Sequence, residues 1–155
     1  MKTPLIISLA LLLFSACGNN TKKTTLSTDS LSDATISGNQ LQNVCFQLLE
    51  GTSNQDTSFI NLKIADTIVN GIYNRLPYQK DSRKGTIQGT LTGNIIKANW
   101  VFSQEGTTDT LDVEFKLSDG KLLQKTFGVN PLTGREQLVD TSTFSITYQK
   151  VECKN

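Results

Sequence analysis

Hydrophobic and polar residues alternate along most of the chain after residue 42. In residues 111–117, one face carries Leu111, Val113, Phe115 and Leu117, and the other carries Asp112, Glu114 and Lys116. Because successive side chains of a strand point to opposite faces, this pattern predicts a strand with one buried face and one face in water. Residues 60–64, 96–102 and 144–148 repeat it, and no stretch shows sustained helical periodicity.

Turn-forming pairs separate these alternating segments. Asp119-Gly120 and Gly93-Asn94 suit tight hairpin turns, whereas residues 77–84 form a longer charged loop. The pattern predicts about eight strands, near residues 43–50, 57–65, 67–76, 84–92, 95–104, 108–118, 121–128 and 143–153. A further loop covers residues 130–141, within which Arg135–Val139 is predicted to make a short helical turn.

These elements predict a single all-β domain over residues 42–155. Short connections between consecutive strands indicate an antiparallel meander. Closure into a small, lipocalin-like barrel of about eight strands is favoured because it removes exposed edges. A two-sheet β-sandwich is the alternative.

The first 16 residues differ from the rest of the chain. One basic residue, Lys2, precedes an apolar run from Pro4 to Ala16, and Cys17 follows the small residues Ser15 and Ala16. The run is shorter than the ~20 residues that span a bilayer, so it predicts a removable signal peptide. The segment resembles the lipobox of bacterial lipoproteins, which implies a lipid-modified Cys17 and attachment to the membrane through acyl chains. Residues 17–41, rich in Ser, Thr and Asn, are expected to be a flexible tether.

Cys45 and Cys153 are the other two cysteines, and they lie near the two ends of the predicted domain. Export places them in an oxidising compartment, so we expect a disulfide between them. Two free buried thiols are the alternative, and a metal pair is disfavoured because the chain has no histidine.

Charge and composition exclude several functions. Removal of residues 1–16 deletes Lys2 and leaves 14 basic against 14 acidic residues, so no basic field is available for nucleic acid. The absence of histidine excludes Ser-His-Asp and Cys-His nucleophile systems. We expect no cofactor and no metal, and we assign no catalytic residue.

Several motifs of the domain resemble a group of small lipoproteins of Bacteroidota. They are Tyr73-Asn74, Tyr78-Gln79-Lys80-Asp81, residues 85–89 (GTIQG), residues 96–106 (IKANWVFSQEG) and Val113-Glu114-Phe115. The resemblance implies a lipoprotein with an all-β domain and no assigned reaction. Surface-exported members would carry an acidic signal after the cysteine, which Gly18–Lys23 lacks. The periplasmic side of the outer membrane is therefore favoured over the cell surface.

Three functional hypotheses follow. In the first, a non-enzymatic, lipid-anchored barrel binds a small apolar ligand or an envelope protein, with Tyr73, Arg75, Trp100 and Glu105 around the pocket. Trp100 is in phase with core residues, so packing is its simpler role. The second is a structural lipoprotein acting through its outer surface. The third is a carboxylate-dependent hydrolase using Glu105, Asp109, Asp112 or Glu114, although the last two alternate with core residues and are expected on the solvent face.

Overall fold

A computed structural model describes residues 41–153, and all of their regular structure is β-strand. The ten strands are β1 (Gln42–Glu50), β2 (Asp56–Ala65), β3 (Ile68–Leu76), β4 (Arg83–Thr92), β5 (Ile95–Gln104), β6 (Thr107–Ser118), β7 (Lys121–Lys125), β8 (Phe127–Val129), β9 (Glu136–Leu138) and β10 (Phe144–Val151). This part of the chain holds no helix of the length and apolarity needed to cross a membrane. Cys17 and nearly all of the predicted tether lie outside the described residues.

Eight strands close into an antiparallel barrel in the order β1-β10-β7-β6-β5-β4-β3-β2. The predicted all-β meander barrel is confirmed, and the sandwich alternative is wrong. Each hairpin strand pairs with its sequence neighbour, and β1 closes the circle by pairing with β10. Closure leaves no unpaired edge in the eight-stranded sheet, which is the reason for favouring a barrel over an open sheet.

The connection between β7 and β10 differs from the prediction. The expected strand 121–128 breaks at Thr126, and the helical turn expected at Arg135–Val139 is wrong, because Glu136–Leu138 is extended and pairs with β8. Asn130 makes the intervening turn: its carbonyl oxygen accepts from the Gly134 N–H at 2.8 Å, and its side-chain oxygen accepts from the Leu132 N–H at 2.9 Å. We call Phe127–Leu138 the arm.

The core fills the inside of the barrel. Its members are inward-facing apolar and aromatic residues from every barrel strand, including Phe46, Ile60, Leu62, Val69, Tyr73, Ile87, Trp100, Phe115, Leu122 and Tyr148. Gly89, one of the two glycines in β4, permits close packing of β4 against β5. A Cβ on Gly89 would lie 2.5 Å from the Cα of Ala98 on β5.

The two ends of the barrel differ. The turns between β2 and β3, β4 and β5, and β6 and β7 lie at one end, where β1 also begins. The opposite end, which we call the mouth, carries residues 51–55, 77–82 and 105–106 and the start of the arm. The described chain therefore enters the barrel at Gln42, at the end far from the mouth.

A disulfide joins Cys45 to Cys153, as expected from the sequence, with their Cα atoms 5.2 Å apart. It lies at the junction of β1 and β10, where the backbone pairing is short: only Cys45↔Val151, Phe46↔Lys150 and Gln47↔Gln149 are in register. By comparison, β1 pairs with β2 along its full length. The covalent bond therefore reinforces the weakest junction of the closed sheet.

Removing this bond with paired Cys45→Ser and Cys153→Ser substitutions should lower the stability of the barrel substantially. The bond closes a loop with a sequence separation of 108. Chain-entropy arguments give about 4–5 kcal/mol for a loop of this size. Urea unfolding followed by Trp100 fluorescence would measure the change, with dithiothreitol-treated native protein as the matched control. An unfolding midpoint equal to that of the oxidised protein would contradict the prediction.

Candidate functional site

A cavity of about 620 Å³ opens at the mouth of the barrel. It is lined mainly by polar and charged residues at the mouth ends of β1 to β5, in the β3–β4 loop and in the arm. Its basic side chains are Arg75, Lys80 and Arg83. Its acidic side chains are Glu50, Asp56, Asp81 and Glu136. The volume lies within the range of ordinary small-molecule sites, but the charged lining is unlike the mostly apolar lining of most of them.

The cavity forms where the inward-facing positions change from apolar to charged. On β3, Val69 and Tyr73 point into the barrel, and Arg75 is the next inward position toward the mouth. On β4 the inward positions run from Leu91 and Ile87 to Arg83. The same period of two that builds the core thus delivers charged groups to the mouth.

Arg75 and Arg83 are direct partners in the β3–β4 ladder. Like charges that face each other on adjacent strands destabilise the sheet. The charge of Arg83 is compensated, since it pairs with Glu136 of the arm, its Nε donates to Gln104 Oε1 at 2.7 Å, and it lies 5.0 Å from the ring centre of Phe102. The guanidinium of Arg75 makes no ion pair or side-chain hydrogen bond within residues 41–153.

A second like-charged pair lies beside the arginines. Glu50 and Asp56 face each other across the β1–β2 hairpin. Asp56 is partly compensated, because its Oδ1 accepts a hydrogen bond from the Tyr78 N–H at 2.6 Å, which fixes the β3–β4 loop to the rim. Glu50 makes no ion pair among the described residues. Among the described residues, the strand positions of the cavity therefore hold one acidic side chain, Glu50, and one basic side chain, Arg75, that are paired neither with each other nor with another group, and Lys80 of the β3–β4 loop is a second basic side chain without an ion pair.

Below the cavity, stacked aromatic rings fill the barrel. Trp100 lies between Phe102 and Tyr73, with ring centres 4.3 Å and 4.2 Å away, and its indole N–H donates to the Tyr73 carbonyl oxygen at 2.9 Å. Tyr73 and Trp100 are at most 1% exposed. Of the four residues predicted around a pocket, only Arg75 lines the cavity. Tyr73 and Trp100 belong to the core because their inward positions lie deeper in the barrel.

Glu105, the fourth predicted residue, lies in the β5–β6 turn at the same end of the barrel. Its backbone is left-handed, with φ of 48°, and its side chain is exposed and outside the cavity lining. The hairpin therefore brings Glu105 to the rim without turning its side chain into the cavity.

Three of the four carboxylates considered for hydrolysis are engaged by different side chains. Asp109 pairs with Arg135 of the arm, and Asp112 accepts from the Asn99 amide. Glu114 is nearly buried, although it lies on the outer face of β6, where the prediction placed it in solvent. It pairs with Lys125, and with Lys97 at 3.2 Å, and the Lys125 ammonium lowers the pKa of Glu114 despite its burial. Asp112 and Glu114, with their partners Asn99, Lys97 and Lys125, line a groove of about 460 Å³ between the barrel wall and residues 138–140, whereas Asp109 does not line it.

A buried polar cluster lies among the inward side chains. The hydroxyl of Tyr148 donates to Gln124 Oε1 at 2.7 Å, the hydroxyl of Tyr73 donates to the same oxygen at 3.0 Å, and the two hydroxyls are 2.9 Å apart. Burial raises the pKa of both tyrosines, and the positive charge of Arg75 opposes that rise at each. The negative charge of Glu50 adds to the rise at Tyr148. Arg75 and Glu50 therefore both act electrostatically on the Tyr148 hydroxyl from the mouth.

Sequence reasoning missed Glu50, Asp56, Arg83 and Glu136. The first three lie at inward-facing positions of their strands, beyond the last apolar residue toward the mouth. The alternation of side chains therefore could have identified them. Glu136 carries no such signal, since it reaches the cavity only because the arm folds beside the mouth. Residues 41–153 contain no group of three or more acidic or cysteine side chains arranged to hold a metal ion.

Comparison with known proteins gives no family for this chain. No protein-family model matches it, and neither the curated proteins nor the solved structures contain a match.

Ionisation of the buried tyrosines should destabilise the barrel in alkali. The folded-state pKa of each is raised above 10.0, the ordinary value that it regains on unfolding. Below pH 10 both tyrosines are neutral in the folded and in the unfolded state, so they do not change the free energy of unfolding. Above pH 10 they lose protons more readily in the unfolded state, and the free energy of unfolding falls as the pH rises. Each tyrosine that ionises only on unfolding contributes a loss of about 1.4 kcal/mol per pH unit.

Above pH 10, the free energy of unfolding falls with pH, and Tyr148→Phe should make this fall less steep by the contribution of one tyrosine, about 1.4 kcal/mol per pH unit. Urea unfolding between pH 9 and 11.5 would measure the difference. Tyr78→Phe removes an exposed tyrosine, and it is the matched control for lysine titration and general base effects. If the free energy of unfolding of Tyr148→Phe fell with pH as steeply as that of the wild type, Tyr148 would not be a neutral buried phenol in the native state.

Proposed function

We propose that this protein is a lipid-anchored, non-enzymatic binding module of the cell envelope that holds a small charged solute in the mouth of its barrel. The observation that carries the proposal is the polar cavity of about 620 Å³ at one end of an otherwise filled barrel. Charged groups of both signs in that cavity, Arg75 and Lys80 on one side and Glu50 on the other, have no partner among the described residues. Charged side chains that a folded sheet already holds in place lose less conformational entropy when a ligand binds, so less of the binding free energy is lost in ordering them.

The filled interior argues against the small apolar ligand expected from the sequence. Trp100, Tyr73, Phe115 and Tyr148 occupy the lumen with at most 1% exposure each. An apolar ligand inside the barrel would need these rings to leave, and displaced core packing is costly. A polar solute at the mouth needs no such rearrangement.

The direction of the chain supports display of the cavity away from the membrane. Cys17 precedes β1, and β1 begins at the end of the barrel opposite the mouth. Acyl chains on Cys17 would attach the chain to the bilayer through that end of the barrel, so the attachment leaves the mouth uncovered. The mouth then faces the aqueous space, which we propose to be the periplasm beneath the outer membrane.

A structural role through the outer surface is the second candidate. It is favoured by a short apolar row on the outside of the barrel, where Ile72 and Val101 flank Thr86 in register and are 47% and 43% exposed. This row would contact an envelope protein. This candidate would be favoured if polar substitutions of Ile72 and Val101 impaired the cell envelope and substitutions of the charged residues at the mouth did not.

Lipid attachment is tested by the distribution of variants between membrane and soluble fractions. We expect Cys17→Ser to move the protein into the soluble fraction, and intact mass analysis to find acyl chains on Cys17 of the native protein. Asn20→Ser is the matched control, since it changes a nearby residue to serine and keeps both Cys17 and the disulfide. A Cys17→Ser protein that stays with the membranes would refute the anchor.

Ligand class is tested by thermal shift on the full chain in detergent, with small charged solutes compared against a long-chain fatty acid. We expect a saturable rise in Tm with charged solutes only. Ser58→Leu, which fills the base of the cavity, should abolish the rise, whereas Thr86→Leu on the outer face should preserve it. Stoichiometric binding of the fatty acid, or binding of charged solutes that Ser58→Leu leaves unchanged, would refute a polar mouth site.

A further inference from the structure

We infer that the mouth recognises a zwitterion: a small molecule that carries both a carboxylate, bound by Arg75, and an ammonium group, bound by Glu50. The inference rests on the proposed function and names its ligand class. It assigns opposite charges of the ligand to two groups that line the same cavity.

The charges in the cavity are segregated by strand. The two acidic residues Glu50 and Asp56 face each other on β1 and β2, and the two arginines face each other on β3 and β4. Ser58, the ladder partner of Arg75, lies between the two pairs on β2. Each like-charged pair is unfavourable by itself, and a ligand charge of the opposite sign relieves it. An anion alone would relieve only the arginines, whereas a zwitterion relieves both pairs.

Within each pair, one member is already compensated and the other is not. Arg83 has Glu136, Gln104 and the Phe102 ring, and Asp56 has the Tyr78 N–H. Arg75 and Glu50 have no such partners, and they form no ion pair with each other. Yet both are near enough to Tyr148 to act on its ionisation in opposite directions. The two charges of opposite sign thus line the same cavity, and both lie within electrostatic range of the Tyr148 hydroxyl beneath it.

The Arg83–Glu136 contact shows the chemistry of the basic side. There, a guanidinium of the mouth already binds a carboxylate, which the arm supplies. Arg75 presents the same planar group with its donors unused by the described residues. Guanidinium groups bind carboxylates with matched geometry and charge-assisted hydrogen bonds, so a ligand carboxylate at Arg75 would repeat beside Arg83 an interaction that the fold already makes.

Isothermal titration of the full chain in detergent, at constant ionic strength, would test the inference. The probes are glycine and glycylglycine as zwitterions of two lengths, acetate as the anion alone and methylammonium as the cation alone. We expect at least one zwitterion to bind more tightly than acetate and methylammonium. Arg75→Gln should weaken it at least about tenfold, the effect of a lost charge-assisted bond. Glu50→Gln should weaken it about three- to tenfold, and should strengthen acetate binding by removing a repulsive charge.

The controls are Lys63→Gln and Glu152→Gln, which remove one charge of each sign from exposed positions that do not line the mouth cavity. Both should bind the zwitterions as wild type does. The zwitterion inference would be overturned if acetate bound as tightly as either zwitterion and if Glu50→Gln left the affinity for the zwitterions unchanged. The proposed charged-solute site would still stand in that case. Failure of every charged solute to bind in the mouth would overturn both.

Discussion

Closure of the sheet is the constraint on which the rest of this structure depends. Once eight strands close, every second side chain of each barrel strand must share one narrow lumen, and small barrels are normally filled by such side chains. Trp100, Tyr73 and Phe115 therefore pack against one another over centroid distances of 4.2 Å and 6.0 Å. Space for a ligand remains only where the inward positions cease to be apolar, and that occurs at the mouth.

The alternation of residues was sufficient to predict the barrel strands, because burial on one face leaves a period of two that turn residues interrupt. Strands β1 to β6 begin and end within one residue of the expected positions. The arm was not predicted because three-residue strands carry too little periodicity. Its Asn130–Gly134 turn relies on local hydrogen bonds that the Asn130 side-chain oxygen accepts from the Leu132 and Thr133 N–H groups, and an alternating pattern carries no signal for such bonds.

The site was predicted less well than the fold, for a geometric reason. Alternation assigns a side chain to a face, but it does not assign the depth at which that side chain lies in the barrel. Arg75 and Trp100 are both inward-facing, and only the ladder register places Trp100 beside Ile87 in the packed lumen and Arg75 beside Arg83 at the rim. Glu105 was predicted beside the pocket, and it lies at the mouth end of the barrel in the β5–β6 turn but outside the cavity lining.

The charged groups at the mouth lie directly on the packed aromatic core. The ring of Phe102 lies against Trp100 and also supports the guanidinium of Arg83, so the basic side of the cavity rests directly on the stacked rings of the core. Two arginines held opposite each other, and two carboxylates opposite each other, conflict with the local rule for cross-strand pairs. Such conflicts concentrate at functional sites, where the surrounding fold supplies the stability that they remove. The remainder of the barrel contains no like-charged cross-strand pair facing the lumen among the described residues. The segregation of charge at the mouth is therefore a local departure from an otherwise consistent sheet, and for this reason the proposed binding site is the mouth and not the lumen.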